Sequence, residues 1–272
     1  MTHTFVTATR CPLMGAPARE AEQTDELLLG WRAEILEQAA PGWFRVRTDY
    51  RYEGYAPAAC LSAEADGANF FAALPKQAVT KAYCAVLAQP RVQSWPVAEL
   101  TRGALVAPLT GPDGDGWVKV ALPDGQVGYT KSSFFGTYHE TSSLSETELR
   151  QAVAETALTY LGAPYRWGGK SPLGIDCSGL AFMAYWLNGV TIFRDARIEP
   201  GFPVHAIPRS EMQRGDLLFF PGHVAIYLGE GRYVHSTARR GSDGVVINSL
   251  DPCAPDYRED LDRGMTAVGS IF

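Results

Sequence analysis

Short apolar runs broken by turn residues dominate the first half of the chain. ILEQ, WFRVRT and GYAPAACL are set apart by Pro, Gly and charged segments, and so are ALVAPL, WVKVAL and GQVGYT. Strand-length runs at this spacing predict small all-β units. The runs also repeat. Trp43, Val46 and the pair Gly54-Tyr55 recur at the same spacing as Trp117, Val120 and Gly128-Tyr129. A glycine stands upstream of each copy (Gly30, Gly103), and Leu61 or Phe135 stands downstream. Two copies are too few for a solenoid. They predict two small barrels, over 1–62 and 75–137, with SAEADGANFFAAL (62–74) as a linker.

Beyond about residue 145 the period changes. Ser and Thr residues around 138–145 offer caps. Leu149, Val153, Thr156, Ala157 and Tyr160 then fall at helical spacing, and Gly162 and Pro164 end the run. A second helix follows a Gly/Pro-rich loop. Leu180, Met183, Ala184 and Leu187 share its face, Gly189 stops it, and Asp176 is its natural N-cap. Alternation returns in HVAIYL and RYVHS, with Gly229-Glu230-Gly231 between them as a hairpin signal. If those three residues form the loop, Leu228 pairs with Arg232 and His235 falls opposite Ala225. His223 and His235 then share a face as diagonal neighbours, roughly 7–8 Å apart at their backbones. A two-residue loop would put them on opposite faces.

Composition narrows the classes. A hydrophobic content of 46% with 20% charged residues suits a chain that buries a core. A net charge of -6 argues against a nucleic-acid binder. No run approaches a membrane span, and the N-terminus lacks the pattern of a secretory signal. The five cysteines are scattered, with no C-x-x-C, as expected of free thiols in a reducing compartment. The expected location is cytoplasmic, with no membrane and no nucleic-acid partner.

The chemistry concentrates at Cys177. A thiol in the first turn of a helix meets unpaired N–H groups and the positive end of the helix dipole, which favour the thiolate. A histidine base and a polar residue that orients it complete an activated thiol. His223 is the candidate base and His235 the candidate orienting group. Three rivals compete: a zinc site built from one Cys and two His, a wall-binding protein without activity, and acyl transfer rather than hydrolysis.

DCSGL, RGDLLFF, HVAIYLG and a second His in a following strand resemble the NlpC-type (NlpC/p-sixty) cysteine peptidases, over about 145–272. The resemblance implies an α+β papain-like domain, with Cys177, His223 and His235 as the catalytic residues, acting on bacterial cell-wall peptides. The paired repeats resemble bacterial SH3-like domains. PYRWGGKSPLGIDCSGL, Arg194-Asp195-Ala196 and VVINSL (245–250) resemble the branch with two such N-terminal domains, the γ-D-glutamyl-L-diamino-acid endopeptidases. The expected architecture is therefore multidomain: two small all-β SH3-like barrels followed by an NlpC-type catalytic domain.

That branch implies a short murein tri- or tetrapeptide substrate with a free N-terminal L-alanine, and neither metal nor cofactor. It implies that the first barrel packs against the catalytic domain and closes one end of the groove. Asp176 is expected to meet the substrate ammonium, besides capping its helix. Tyr165 is expected beside the oxyanion, and Ser178 near the reacting carbonyl. Arg194 and Asp195 are expected at the groove, near the γ-D-glutamyl unit. Tyr55 recurs as Tyr129 and so serves the barrel, whereas Tyr50 and Tyr52 have no counterparts. Tyr52 is the preferred substrate contact, with Glu22 a weaker candidate for the amine.

Overall fold

The computed structural model describes residues 2–62 and 65–272. It divides them into two compact units, Met1–Tyr138 and His139–Phe272. Both are built mainly from antiparallel sheet.

The first unit holds two sheets. One contains β1 (Thr2–Phe5), β2 (Arg10–Met14), β3 (Gln23–Leu28), β4 (Arg32–Ala40), β5 (Trp43–Thr48) and β6 (Glu53–Pro57), in the order β1-β4-β5-β6-β2-β3. After helix α1 (Ala65–Ala73) come β7 (Gln77–Val79), β8 (Tyr83–Leu87), β9 (Pro96–Thr101), β10 (Leu105–Pro108), β11 (Trp117–Ala121), β12 (Val127–Lys131) and β13 (Phe135–Thr137). They lie in the order β13-β7-β10-β11-β12-β8-β9. The sequence repeat is thus a repeat of topology, since β4-β5-β6-β2-β3 and β10-β11-β12-β8-β9 run in the same order.

Register explains why Gly-Tyr recurs. Val46 pairs with Gly54, and Val120 with Gly128. A Cβ on Gly54 would meet the Leu13 side chain at 3.0 Å, and one on Gly128 would meet that of Val86 at 2.5 Å. Each glycine therefore admits the neighbouring strand. The upstream glycines have positive φ (83° at Gly30, 90° at Gly103), a conformation that only glycine adopts without strain. They also join the sheets. The Leu105 N–H donates to the Leu29 carbonyl at 2.8 Å, and the Trp31 indole to the Gly103 carbonyl at 2.8 Å.

Residues 63 and 64 of the expected linker lie outside the described residues. The remainder is not a plain linker. Helix α1 buries Phe71 against Phe5, Ala107 and Ala121, so both sheets share its apolar side. The expected strands are present, but GYAPAACL is extended only through Pro57, and Ala58–Cys60 forms a 3-10 turn. Two of the scattered cysteines are neighbours: Cys60 and burial push the Cys11 thiol well above its usual range, and Cys11 holds that of Cys60 down.

In the second unit, α2 (Glu146–Leu158) precedes the short pair β14 (Lys170–Ser171) and β15 (Gly174–Ile175). Helix α3 (Cys177–Trp186) follows. The main sheet contains β16 (His205–Ile207), β17 (Leu217–Phe220), β18 (His223–Gly229), β19 (Arg232–Thr237) and β20 (Gly244–Ser249). After α4 (Glu259–Gly264) it is completed by β21 (Ala267–Ser270), in the order β16-β21-β17-β18-β19-β20. Ser145 caps α2 through a capping box with Glu148, as its sequence predicts. Helix α3 is buried from Cys177 through Tyr185 and packs on α2, β18 and β19.

The RGD of RGDLLFF is structural. Asp216 is fully buried and its Oδ1 accepts from Arg150 Nη1 of α2 at 2.7 Å, while Oδ2 accepts from the Gln213 N–H at 2.7 Å. Gly215 has φ 90° and lies against the Arg150 backbone.

Candidate active site

Two backbone devices place Cys177 and the two histidines. At the first, the loop before α3 ends in Asp176, whose side chain accepts from the Gly179 N–H at 2.6 Å. Cys177 therefore occupies the first helical position. The backbone N–H groups of Val224, at the head of β18, and of Ser178 both favour its thiolate, and Val224 follows His223 in that strand. That strand begins immediately after a tight turn in which Phe220 pairs with His223 across Pro221-Gly222, with Gly222 at φ 65°. A Pro-Gly pair is a favoured sequence for such a turn.

The second device corrects an expectation. The hairpin loop is the two-residue turn Glu230-Gly231, both residues at positive φ, because Gly229 pairs with Arg232. On a regular ladder this would separate the histidines. Leu228 is bulged out of the pairing, however, so Tyr227 opposes Tyr233 and Ile226 opposes Val234. One extra residue restores the parity that the short turn removes. His223 Nε2 lies 2.7 Å from His235 Nδ1.

The hydrogen-bonded run continues. His235 Nε2 lies 2.9 Å from Asn248 Oδ1, and Asn248 Nδ2 donates to the Asp256 carbonyl at 2.8 Å. Asn248 was not singled out from sequence, although it stands within VVINSL. Val246 opposes His235, which places Asn248 two residues along on the same face. The signal was the alternation of β20, legible only once its pairing with β19 is known. Both nitrogens of His235 are engaged within this run, which leaves neither for a metal.

The protonation states follow from burial. Burial pushes the Cys177 thiol up to about 11, the Asp176 carboxylate adds to the rise, and the two N–H groups and Arg194 only partly offset it. The expected lowering by the helix N-terminus is therefore outweighed. His223 is pushed down to about 3 by burial, reinforced by His235 and Arg258. His235 is pushed down to about 4 by burial, against its bond to Asn248. Burial thus favours the uncharged form of the thiol and of both imidazoles.

Arg194 and Asp195 part company. Arg194 is 1% exposed and runs under the N-terminus of α3. Its Nη1 meets Asp176 Oδ1 at 3.1 Å and Ser178 Oγ at 2.6 Å, and its Nη2 meets Asp176 Oδ2 at 2.9 Å. Asp176 Oδ2 also accepts from the Gly168 N–H at 2.8 Å, and Oδ1 faces Ser178 Oγ at 3.3 Å. Five donors thus converge on a carboxylate that has about four lone-pair sites. Asp176 thereby caps and anchors the helix that carries Cys177. Asp195 lies 3.7 Å from Arg197 and lines a narrow pocket with Ser178, Ala181, Phe193 and Val224.

Tyr165 is bridged to Ile175 beside the nucleophile. Burial raises its phenol to about 12, with Cys177 and Asp176 contributing, so it stays a donor. In the first unit, Tyr50 is buried and donates to Asp25 at 2.5 Å. Tyr52 and Tyr55 are half-buried, and the Tyr52 N–H donates to Thr48 Oγ1 at 2.9 Å.

A cysteine at a helix N-terminus, near the head of a strand that opens with a histidine held by a second polar side chain, is the pattern an activated thiol requires. The NlpC/P60 family profile matches residues 162–255, which contain all three groups. Dipeptidyl-peptidase 6 of Lysinibacillus sphaericus is 43% identical over 98% of this chain and 99% of its own length. The chain therefore belongs to the NlpC/P60 family. The γ-D-glutamyl-L-lysine dipeptidyl-peptidase of Bacillus cereus is 32% identical over 52% of this chain and 43% of its own length. A crystal structure of an NlpC/P60 family protein from Bacillus cereus shares the fold with a TM-score of 0.81, at 21% identity, over 98% of both chains.

Proposed function

We propose that the chain is a cysteine peptidase hydrolysing the γ-D-glutamyl-L-diamino-acid bond of short murein peptides with a free N-terminal L-alanine. The observation that carries the chemistry is the hydrogen-bonded run from His223 through His235, with the adjoining Val224 N–H favouring the Cys177 thiolate. The full-length similarity to a dipeptidyl-peptidase supports the substrate class.

The chemistry follows from the resting charges. Cys177 gives its proton to His223 as its sulfur attacks the γ-glutamyl carbonyl, so the ion pair forms only with substrate bound. Tyr165 donates to the developing oxyanion, where a fixed donor contributes most. The imidazolium of His223 then protonates the leaving amine. The thioester of L-Ala-γ-D-Glu remains on Cys177, and water, deprotonated by His223, releases it. Asp176, Ser178 and Arg194 hold the helix that carries Cys177. Asp195 and Tyr52 are the proposed substrate contacts.

The architecture belongs to the same reading: two SH3-like barrels over 1–62 and 75–137, supported by their common strand order, then a papain-like domain over 145–272. Five free thiols support a cytoplasmic location.

The test is cleavage of L-Ala-γ-D-Glu-meso-diaminopimelate, read by mass spectrometry, with Cys177→Ala and an N-acetylated peptide alongside. Wild type is expected to release L-Ala-γ-D-Glu. The alanine variant is expected to fall by at least about 10³-fold, and the acetylated peptide to resist. Cleavage of the acetylated peptide would redirect the proposal to intact wall. Binding to insoluble wall with no cleavage of either peptide would replace it with a binding role.

A further inference from the structure

We propose that Asn248 is a positioning residue that sets the polarity of the histidine run and thereby makes His223 a base. This rests on the assignment of Cys177 and His223 above and extends it one group further. The order of donors and acceptors is forced from the far end. A backbone carbonyl only accepts, so the Asn248 atom 2.8 Å from the Asp256 carbonyl is the amide nitrogen. The oxygen therefore faces His235 Nε2 at 2.9 Å, and that nitrogen must carry hydrogen. A neutral His235 then has a bare Nδ1. The 2.7 Å contact to His223 Nε2 closes only if His223 Nε2 carries hydrogen. His223 Nδ1 is left bare, able to accept the thiol proton.

Reversing the amide reverses everything. With the nitrogen of Asn248 toward His235, the imidazoles would carry hydrogen on Nδ1. His223 would present a donor where the reaction needs an acceptor. The amide cannot reverse at little cost, because its oxygen would then face the Asp256 carbonyl without a hydrogen between them. The ring orientation is also held. Tyr233 packs edge-on to His235 with centroids 5.2 Å apart, and Phe220 lies against His223 at 5.8 Å. What these rings do not decide is which nitrogen bears the proton; Asn248 decides it. When His223 is protonated in the reaction, both N–H dipoles of the run already point away from it. No proton has to move beyond His223.

The experiment reads the tautomers directly, by long-range ¹H–¹⁵N correlation of the histidine side chains in uniformly labelled full-length protein at neutral pH. Protonated and bare ring nitrogens have well-separated shifts. Wild type is expected to show protonated Nε2 and bare Nδ1 at both His223 and His235. Asn248→Leu, of similar shape without the amide, is expected to lose the single tautomer at His235. Its kcat should fall about 10- to 100-fold, with KM within about two-fold. Asn248→Asp keeps an acceptor toward Nε2 but sets its second oxygen against the Asp256 carbonyl, so it is expected to restore the Nε2-protonated tautomer at a cost in stability, with kcat above that of Asn248→Leu. Protonated Nδ1 on either histidine in wild type would overturn the proposal, whether or not the variants fold. So would unchanged tautomers or an unchanged kcat in Asn248→Leu. If Cys177→Ala still cleaves, the peptidase assignment falls instead, independently of the spectra.

Discussion

Helices α2 and α3 lie side by side, and each is pinned by a buried Asp–Arg pair. In α2 the arginine is on the helix, and Arg150 reaches Asp216 at the head of β17. In α3 the carboxylate is the cap itself, and Asp176 receives Arg194 from the following loop. The charges, burial and distances are nearly alike, yet one pair fixes a helix to a sheet and the other fixes the start of the helix that carries Cys177. A buried ion pair therefore does not mark a functional site. The difference lies in what else converges: the Val224 and Ser178 N–H groups both favour the Cys177 thiolate, and Val224 follows His223 in β18.

Removing each carboxylate separates these roles. Asp176→Ala removes the carboxylate that pairs with buried Arg194 and deletes the helix cap. The expected loss is about 3–5 kcal/mol for breaking a buried pair, with about 1 more for the cap, read by urea unfolding. Cleavage per folded molecule should fall by at least about ten-fold, because the first turn of α3 is no longer held. Asp216→Ala should lose about 3–5 kcal/mol as well. Its cleavage per folded molecule, measured at low temperature, should stay within about two-fold of wild type. Equal activity losses in the two variants would dissolve the distinction.

What was legible in the sequence follows the range of the cause. Both helices, their caps and their stops were readable because capping residues and apolar spacing act within one or two turns. The sheet repeat was readable for the same reason: Gly54 and Gly128 mark a close approach wherever they fall. The meeting of His223 and His235 was predicted, but with the wrong device. A three-residue loop was expected, and a two-residue turn plus the bulge at Leu228 reaches the same parity. Asn248 lay out of reach because its place depends on strand register between β19 and β20. The Arg194–Asp176 pair was hidden by a neighbour, since Arg194-Asp195 reads in sequence as one local pair.

A smaller effect tests the charge state of the nucleophile. The Cys177 thiol lies near 11 and His223 near 3, so the resting pair is neutral between them. Raising the pH removes the thiol proton, and alkylation of Cys177, followed by peptide mapping, should climb steadily above neutral pH. A plateau between pH 4 and 7 would instead mean a resting thiolate–imidazolium pair and a different first step. The same depression of His223 makes the fold acid-sensitive. An unfolded histidine binds its proton near 6.5, so below that value the unfolded chain binds more protons. The contribution is whole above about 6.5 and is lost as pH falls toward 3.

The smallest effect concerns the other cap. Ser145 accepts from the Glu148 N–H while Glu148 reaches back to the Ser145 N–H at 2.9 Å, both at the exposed start of α2. Ser145→Ala should cost about 1 kcal/mol and leave cleavage unchanged. Set beside Asp176→Ala, it isolates the reason one cap matters to catalysis. Both side chains satisfy N–H groups at a helix start, but only Asp176 also binds Arg194 beneath the residue that reacts. If Ser145→Ala slowed cleavage as Asp176→Ala is expected to, the packing of α2 on α3, rather than the Arg194 clamp, would be what positions Cys177.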